Sequence, residues 1–341
     1  MKITFIRPNM HDGRSQGAME PLAFAVLRAL TDVRVECELQ DEQIEALDLE
    51  APTDLVALTV ETYTARRAYQ IASEYRRRGV PVVMGGFHAS LCPEEVAEWA
   101  DAVVVGEAEK IWPTVLADAE RGALQTYYRA NGRVERGRAR VDRSIFQGKR
   151  YLPLGLVEAT RGCRFNCEFC AIQTVFHRTH TFRPMGDLLA EVEEVRNRSL
   201  VFFVDDNIGG DLEGGKEMLR ALIPLKIRWV SQLSIDAARD TEYLALMKES
   251  GWQGVLIGLE SLNPANLRQM RKGVNLLESG YETALANLVR HRIRLYATFV
   301  FGYDHDTRES FGETARYAAE KGFFIAAFNH LTPFPGTPLF R

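Results

Sequence analysis

The sequence predicts an α/β protein in which a Rossmann-like, doubly wound parallel sheet is followed by a partial (β/α)6 barrel. Short apolar strands alternate with amphipathic helices over residues 1–125, and a second alternating series begins at residue 154. An Arg-rich stretch without a helical stripe separates the two series. Such alternation favours right-handed crossovers and parallel sheets. The 341 residues exceed the usual size of one domain, so we expect two.

The first series, residues 1–125, forms the first predicted domain. Its helices carry apolar residues at three- and four-residue spacing, and its strands are short apolar runs. The predicted strands are Ile3–Arg7, Val33–Glu38, Asp54–Val60, Val80–Met84 and Ala102–Val105. The predicted helices are Glu20–Leu30, Ala65–Arg78, Pro93–Ala100 and Glu107–Glu120. Helices between successive strands cover both faces of the sheet, which is the doubly wound arrangement.

Residues 126–150 are predicted to be a linker with an irregular hairpin. The stretch is rich in arginine, but acidic residues are interleaved and aromatic residues are few. A solvated surface is therefore favoured over a nucleic-acid patch. The arginines in question are Arg129, Arg133, Arg136, Arg138, Arg140 and Arg143.

The second series, residues 151–341, is predicted to be the partial barrel. An eight-unit barrel needs about 250 residues, and fewer remain here. The predicted strands are Leu154–Thr160, Leu200–Val204, Ile227–Leu233, Gly254–Gly258, Arg294–Gly302 and Ile325–His330. The predicted helices are Pro184–Arg196, Gly214–Leu222, Thr241–Glu249, Ser279–His291 and Thr307–Lys321. The sequence ends just after a Pro-rich turn, and we expect a further C-terminal segment.

Composition limits the possible functions. A net charge of −4 gives no bulk attraction for nucleic acid. No apolar run reaches the roughly 18–20 residues of a membrane span, and the N-terminus is typical of a strand rather than a signal peptide, so we expect a cytoplasmic protein. Three of the five cysteines fall within eight residues, which favours a metal site over disulfides. Cys37 and Cys92 stand apart and are predicted to have no role in chemistry.

The motif that carries the chemistry is C-x3-C-x2-C, formed by Cys163, Cys167 and Cys170 directly after a predicted strand. Three thiolates can ligate three irons of a [4Fe–4S] cube, whose full protein set is four cysteines. The fourth iron is then open to the amino and carboxylate groups of S-adenosylmethionine (SAM). The alternative is a structural zinc site, with His177 or His180 as the fourth ligand.

The cluster motif resembles that of the radical SAM superfamily, and Phe169 takes the place of the aromatic residue before the last cysteine. Three segments resemble the class with an N-terminal cobalamin-binding domain: Thr160-Arg161-Gly162-Cys163, Met84-Gly85-Gly86-Phe87-His88 and Val105-Gly106-Glu107-Ala108-Glu109. The resemblance implies a radical SAM barrel for residues 151–341. It also implies a [4Fe–4S] cluster, SAM and cobalamin as cofactors, and an electron donor such as a flavodoxin or ferredoxin.

Contacts to SAM are expected at the strand ends of the second domain. Strand-end carbonyls and a carboxylate suit an ammonium group, and Glu260 is expected to accept from ribose hydroxyls. Arg268 and Lys272 are alternatives to Arg271 for pairing with the SAM carboxylate. The candidate SAM-binding residues are Phe169, Asp205, Asp206, Asn207, Ser231, Gln232, Glu260, Ser261, Arg271 and Phe301. A strand-end acid is often a helix cap instead.

Cobalamin contacts are expected at the carboxyl edge of the first sheet. The candidates are Thr62, Tyr63, Thr64, Gly85, Gly86, Phe87, His88, Gly106 and Glu107. The glycine pair is expected to let a large ligand approach the backbone. The D-x-H-x-x-G motif of many cobalamin domains is absent, so a lower axial site without histidine is predicted, with His11 or His88 as alternatives. Loss of cobalamin remains open, and the absence of G-x-G-x-x-G gives no support for NAD.

The leading hypothesis for function is a cobalamin-dependent radical SAM methyltransferase that acts on an unactivated carbon through a 5′-deoxyadenosyl radical. A radical SAM cyclase, or a rearrangement or oxidative enzyme without net methyl transfer, is the alternative. A methylthiotransferase would need three N-terminal cysteines, and only Cys37 and Cys92 are present. A non-enzymatic zinc-binding module is the alternative from another class. We expect a small-molecule substrate, with lipids, tetrapyrroles and natural products all open.

Overall fold

The computed structural model divides the chain into two compact units, Met1–Leu152 and Pro153–Arg341. It describes residues 1–10, 13–130, 141–276 and 281–341. Each unit has one six-stranded parallel sheet. Within the described ranges, every helix is too short or too polar to cross a membrane.

The first sheet has the strand order β2-β1-β3-β4-β5-β6. All its neighbouring strands are parallel. The strands are β1 (Lys2–Arg7), β2 (Glu36–Asp41), β3 (Leu55–Thr59), β4 (Val82–Gly85), β5 (Ala102–Val105) and β6 (Tyr127–Arg129). The order changes direction between β1 and β3. In a doubly wound sheet, ligands bind at the carboxyl ends of the strands beside such a switch point.

Helices pack on both faces of the first sheet because its buried strands alternate apolar side chains between the faces. Phe5 packs on Phe24 and Trp112, with ring centroids 5.4 and 5.9 Å apart, while Ile6 belongs to the core of the opposite face. The helices are α1 (Leu22–Ala29), α2 (Ala65–Arg77), α3 (Phe87–Leu91), α4 (Pro93–Ala97) and α5 (Trp112–Glu120). Helix α5 begins five residues later than predicted, with Pro113 in its first turn, where a missing N–H is tolerated.

The described residues of the predicted linker, 126–130 and 141–150, are part of the first unit. Its residues 127–129 form the edge strand β6. Tyr128, Ile145 and Phe146 are buried in the core of that unit, so apolar burial outweighs the basic composition of the stretch. Residues 131–140, including Arg133, Arg136, Arg138 and Arg140, lie outside the described residues.

The second sheet has its strands in chain order, β7-β10-β11-β12-β13-β14, and all neighbours are parallel. The strands are β7 (Leu154–Val157), β10 (Leu200–Phe203), β11 (Trp229–Gln232), β12 (Trp252–Glu260), β13 (Arg294–Phe301) and β14 (Ile325–His330). A separate antiparallel hairpin is formed by β8 (Thr160–Gly162) and β9 (His180–Phe182). The predicted partial (β/α)6 arrangement is confirmed.

Helices connect the strands of the second sheet, as the alternation predicts. They are α6 (Ala171–Val175), α7 (Met185–Val195), α8 (Leu212–Leu222), α9 (Thr241–Glu249), α10 (Pro264–Gln269), α11 (Glu282–Arg290) and α12 (Arg308–Glu320). Helix α8 is capped by the Asp211 carboxylate and α9 by that of Asp240. A side-chain acceptor of this kind satisfies the free N–H groups of a first turn.

The core of the second unit depends on an aromatic cluster at β10, β11 and β12. Trp229 stacks on Trp252, with ring centroids 5.6 Å apart, and contacts Phe203 edge-on at 5.2 Å. The indole N–H of Trp229 donates to Ser250 O at 3.0 Å. Neighbours of Trp229 on β11, such as Val230 and Gln232, point to the opposite face, which is only partly buried.

Replacing Trp229 with alanine is expected to destabilise the second unit by about 3–5 kcal/mol, because it leaves a large cavity. Trp229→Phe keeps the ring contacts and loses the bond to Ser250 O, so a smaller loss of about 1–3 kcal/mol is expected. Denaturant unfolding followed by circular dichroism measures both. Equal losses in the two variants would show that the aromatic packing is not the main contribution.

Candidate functional site

The three clustered cysteines share one loop, which we call the cluster loop (Gly162–Cys170), between β8 and α6. Cys167 is buried, whereas Cys163 and Cys170 are partly exposed, and all three are free thiols. The loop therefore starts at the hairpin strand β8 and ends where a helix begins. This is the strand–loop–helix setting that the sequence predicts for a metal-ligating motif.

Backbone hydrogen bonds fix the cluster loop at both ends. The N–H of Gly162 donates to Asp206 Oδ2 at 2.7 Å. Further along, the N–H of Glu168 donates to Met270 O at 3.0 Å, and Glu168 O accepts from the N–H of Leu339 at 3.0 Å. The loop is thus held from three separate parts of the second unit.

Gly162, directly before the first cysteine, is a position that only glycine fits. Its φ is +84°, in the left-handed region. A Cβ atom there would overlap Thr179 O, which is backbone and cannot swing aside. The close pairing of β8 with β9 therefore requires glycine at this point.

Asp205 supports the chain beneath the cluster loop. Its side chain is fully buried and accepts hydrogen bonds from Ala159 N at 3.2 Å, from Thr160 N, and from Thr160 Oγ1 at 2.5 Å. Burial raises the pKa of this carboxyl to about 7, and the bond from Thr160 opposes the shift. The predicted strand Leu154–Thr160 is split here, since β7 ends at Val157 and β8 begins at Thr160.

Asn207 contacts a cluster-loop cysteine directly. Its Nδ2 lies 3.7 Å from Cys163 Sγ and 3.1 Å from Ser234 Oγ, while its Oδ1 accepts from Ser234 N at 3.1 Å. The backbone oxygen of Asn207 is 3.1 Å from His180 Nε2. The amide is therefore oriented so that its N–H group faces the thiol.

An ion pair between the partly buried Lys272 and the buried Glu260 lies beside the cluster loop. Lys272 Nζ is 2.5 Å from Glu260 Oε1 and 5.9 Å from the ring centroid of Phe169. Burial lowers the pKa of Lys272, but the charges of Glu260 and Cys167 more than offset it, so the pKa is raised. A protonated amine next to the thiols stabilises negative charge there.

Glu260 has a backbone conformation that is rare for residues other than glycine. Its φ is +65°, and the register of β12 with β13 shifts between Gly258 and Glu260. The carbonyl of Leu259 accepts from Asn275 Nδ2 and from Tyr281 Oη, both at 2.8 Å. Left-handed residues held in place this way are concentrated at functional sites.

One further titratable group, the phenol of Tyr303, interacts with Cys167. Burial raises the pKa of Cys167 to about 11, and Lys272 opposes this shift. The buried phenol of Tyr303 has a raised pKa, first through burial and then through the charges of Glu168, Glu260 and Cys167. The sequence reasoning did not select Tyr303, although its position directly after Gly302 at the end of β13 was an available signal.

Four predicted SAM residues, namely Ser231, Ser261, Arg271 and Phe301, have surroundings that do not point to SAM. Ser231 is buried on the same face of β11 as Trp229, whereas Gln232 points the other way and donates to Asp205 O at 2.6 Å. Phe301 stacks on Phe311 of α12, with ring centroids 4.5 Å apart. Ser261 Oγ accepts from Asn263 N at 3.1 Å, and Arg271 is exposed. The cation beside the cluster loop is the partly buried Lys272 rather than Arg271.

The cluster loop does not have the arrangement of a zinc site. His180 Nε2 is engaged with Asn207 O, and His177 is exposed. In the described part of the chain, one set of His, Cys and acidic side chains brings three donor atoms within 4.8 Å, and it lies in the first unit. The donor atoms of a single tetrahedral ion must lie within such a distance of one another. Free thiols faced by an ammonium and an amide N–H instead fit an anionic iron–sulfur cluster.

The three cobalamin candidates that follow β3, Thr62, Tyr63 and Thr64, differ from one another in exposure and in hydrogen bonding. Tyr63 is exposed at the carboxyl edge of the first sheet. Thr64 is buried, and its hydroxyl is bonded to Glu61 N and O at 3.1 and 3.2 Å. Thr62 Oγ1 is 3.2 Å from His88 Nδ1. Burial raises the pKa of Glu61 to about 7, with Arg7 opposing the shift.

Gly86, the second glycine of the pair after β4, has a packing role. Gly86 has φ +108°, and a Cβ atom there would lie 2.9 Å from Val60 O. Gly86 therefore allows α3 to approach the backbone that follows β3. Phe87, Gly106 and Glu107 are partly buried at the same edge. His11 lies outside the described residues.

Family models match both units. A model of the radical SAM superfamily matches residues 157–318, which include the cluster loop. This chain belongs to the radical SAM superfamily. A model of the B12 binding domain matches residues 19–116, which cover most of the first sheet. The predicted family, with its N-terminal domain of the cobalamin-binding type, is confirmed.

Curated relatives include tetrapyrrole enzymes. The chain is 32% identical to bacteriochlorophyllide d C-12(1)-methyltransferase of Chlorobaculum tepidum, over 84% of this chain and 65% of that protein. It is 29% identical to the C-8(2)-methyltransferase of the same organism, over 97% and 78%. It is 27% identical to anaerobic magnesium-protoporphyrin IX monomethyl ester cyclase of Cereibacter sphaeroides, over 100% and 63%. The chain thus spans less than two thirds of the length of two of these proteins.

A solved structure shares the fold along nearly the whole chain. The radical S-adenosylmethionine methyltransferase TsrM from Kitasatospora setae, with cobalamin and a [4Fe–4S] cluster bound, superposes with a TM-score of 0.76 and 19% identity. The match covers 99% of this chain and 73% of TsrM. It confirms the predicted fold class.

Replacing Gly162 with alanine is expected to remove most of the iron that the protein binds, because the added Cβ meets Thr179 O and the left-handed backbone becomes strained. The measurement is iron and sulfide content after anaerobic reconstitution. Gly186→Ala is the matched control, since a Cβ there meets nothing within 4 Å. Normal iron in Gly162→Ala would show that the loop does not need this geometry.

Proposed function

We propose that this chain is a cobalamin-dependent radical SAM methyltransferase that methylates an unactivated carbon of a tetrapyrrole. The observation that carries the proposal is a loop with three free cysteines at the start of a partial (β/α)6 barrel, in one chain with a domain of the B12-binding type. Two tetrapyrrole methyltransferases among its relatives support the reaction and the substrate class.

Cys163, Cys167 and Cys170 are proposed to hold three irons of a [4Fe–4S] cluster. When bound, such a cluster supplies the electron that cleaves SAM to a 5′-deoxyadenosyl radical, and cobalamin supplies the methyl group. Lys272 places a positive charge beside the thiols, and Asn207 donates to Cys163 Sγ. Both contacts stabilise negative charge on the sulfur ligands.

The residues proposed to face SAM are Phe169, Asn207, Gln232 and Glu260, since they lie at the cluster loop or at the carboxyl ends of β10, β11 and β12. In barrels of this type, the active-site residues lie at the carboxyl ends of the strands. Asp205 and Asp206 are proposed as positioning residues, because their carboxylates accept the N–H groups that lead into the cluster loop. Lys272, rather than Arg271, is proposed as the positively charged residue that pairs with the SAM carboxylate.

Cobalamin is proposed to bind at the carboxyl edge of the first sheet, near Tyr63, Phe87 and Glu107. This edge lies within the B12-binding match and beside the change in strand order. Both ring nitrogens of His88 already face Thr62 and Glu95, which supports a lower axial site without a histidine ligand. A flavodoxin or ferredoxin as electron donor, and a cytoplasmic location, stay predictions.

The second candidate function is a radical SAM cyclization of a tetrapyrrole without methyl transfer. A relative named as such a cyclase matches all of this chain at 27% identity. The products made from SAM separate the two. Methyl transfer yields S-adenosylhomocysteine together with 5′-deoxyadenosine, whereas cyclization yields 5′-deoxyadenosine alone.

The reconstituted protein, supplied with cobalamin, SAM, a reductant and a chlorophyllide-type tetrapyrrole, is expected to form both products and a substrate heavier by one methyl group. Replacing Cys167 with alanine is expected to abolish 5′-deoxyadenosine formation, because one iron loses its ligand. Mass spectrometry measures both readouts. Cys37→Ala, outside the cluster loop, is the matched control and is expected to keep activity.

Either of two results would contradict the proposal. If Cys167→Ala forms 5′-deoxyadenosine at the normal rate, the cluster assignment is wrong. If the intact protein forms 5′-deoxyadenosine but transfers no isotopically labelled methyl group from SAM to any tetrapyrrole, the methyltransferase proposal fails and cyclization is favoured.

Removing the amide of Asn207 is expected to lower the reduction potential of the cluster. An N–H bond to a cysteine sulfur stabilises the more negative, reduced state, and Asn207→Ala loses it. An electron paramagnetic resonance redox titration measures the potential. Ser234→Ala is the control, because it breaks a neighbouring contact of Asn207 and leaves the donor to Cys163 in place. Equal shifts in both variants would refute a specific effect of the N–H···S contact.

A further inference from the structure

His88, Cys92 and Glu95 bring an imidazole, a thiol and a carboxylate together in the first unit. Their donor atoms all lie within 4.8 Å of one another. The three residues follow β4 along α3 and α4, at spacings that place them on one side of a helical segment. The N–H of Cys92 donates to His88 O at 2.8 Å, so the helical turn between them is formed.

The separations between the donor atoms are suitable for the binding of one metal ion. His88 Nε2 is 3.5 Å from Glu95 Oε1. Donor atoms bound at about 2.0–2.3 Å to one tetrahedral ion lie about 3.3–3.7 Å apart. The observed separation of nitrogen and oxygen falls within this range, and Cys92 Sγ lies within 4.8 Å of both atoms.

Outer contacts orient two of the three donors. Thr62 Oγ1 lies 3.2 Å from His88 Nδ1, and when it accepts the Nδ1 proton the lone pair of Nε2 faces Cys92 and Glu95. The hydroxyl of Tyr69 donates to Glu95 Oε1 at 2.8 Å, and its ring stacks on Trp99. Metal-ligating histidines and carboxylates are held by second hydrogen bonds of this kind.

The donor set indicates which ion binds. His88 is 3% exposed, Cys92 is partly buried and Glu95 is exposed, so the three donors run from the core to the surface. A mixed nitrogen, sulfur and oxygen set suits Zn²⁺ and similar transition metals, whereas Ca²⁺ and Mg²⁺ take oxygen ligands. Three protein ligands leave the fourth tetrahedral position for water on the exposed side.

We propose that His88, Cys92 and Glu95 bind one zinc-type divalent ion that ties α3 to α4 at the carboxyl end of β4. The site uses none of the cluster-loop cysteines, and it stands whether or not the chain is a methyltransferase. It also gives Cys92 a role, which the sequence did not predict. The ion would stiffen the corner that carries Gly85, Gly86 and Phe87.

The test uses the 341-residue chain with Cys163→Ser, Cys167→Ser and Cys170→Ser, so that Cys37 and Cys92 are its remaining thiols. After treatment with a chelator, the protein is titrated with Co²⁺ without oxygen. We expect a sulfur-to-cobalt charge-transfer band and the visible bands of tetrahedral cobalt, saturating at about one ion per chain. Added Zn²⁺ is expected to displace the cobalt and remove the bands.

Variants in the same background identify the ligands. Cys92→Ser is expected to abolish the charge-transfer band, and Glu95→Gln to weaken Co²⁺ binding by about tenfold or more. Cys37→Ser and Glu94→Gln are the matched controls and are expected to bind normally. Circular dichroism confirms that each variant is folded. The proposal is overturned if the folded parent chain gives no band, if Cys92→Ser keeps it, or if Cys37→Ser loses it.

Discussion

Two adjacent carboxylates at the end of β10 determine the path of the chain into the cluster loop. Asp205 is fully buried and accepts from the backbone N–H groups of Ala159 and Thr160, and Asp206 accepts from that of Gly162. Because β10 is paired on both sides, with β7 and β11, its end is a rigid support. Any group held by the three cysteines takes its position from the second sheet through these bonds.

Electrostatic balance is the second requirement of this site. Burial disfavours the thiolate of Cys167, and the ammonium of Lys272 offsets only part of this effect. Lys272 in turn is held by Glu260, whose left-handed backbone is fixed where β12 and β13 lose register. The strain at Glu260 and the charge beside Cys167 are thus parts of one arrangement. A residue with a strained backbone conformation is retained only where the surrounding structure holds it in place. Such residues are concentrated at functional sites.

The apolar periodicity of the sequence predicted much of the fold. It did not predict which contacts the polar side chains at the strand ends make. Gln232 and Ser231 are neighbours in sequence, yet alternation along β11 sends them to opposite faces. Ser261 and Thr64, chosen as polar residues after strands, are bonded to nearby backbone groups. Gly86 matches a family motif, and its close contact with Val60 shows the packing reason for the glycine.

The sequence by itself determined the main alternation of strands and helices and the three thiols of the cluster loop, because both depend on local spacing. Only the tertiary structure decided which charged and polar groups surround those thiols. Asp205 meets Thr160 across 45 residues, and Asn207 meets Cys163 across 44. His88, Cys92 and Glu95 are close in sequence, but the side chains that bond to His88 and Glu95, Thr62 and Tyr69, come from other elements. Such contacts depend on how separate elements pack, which local periodicity does not encode.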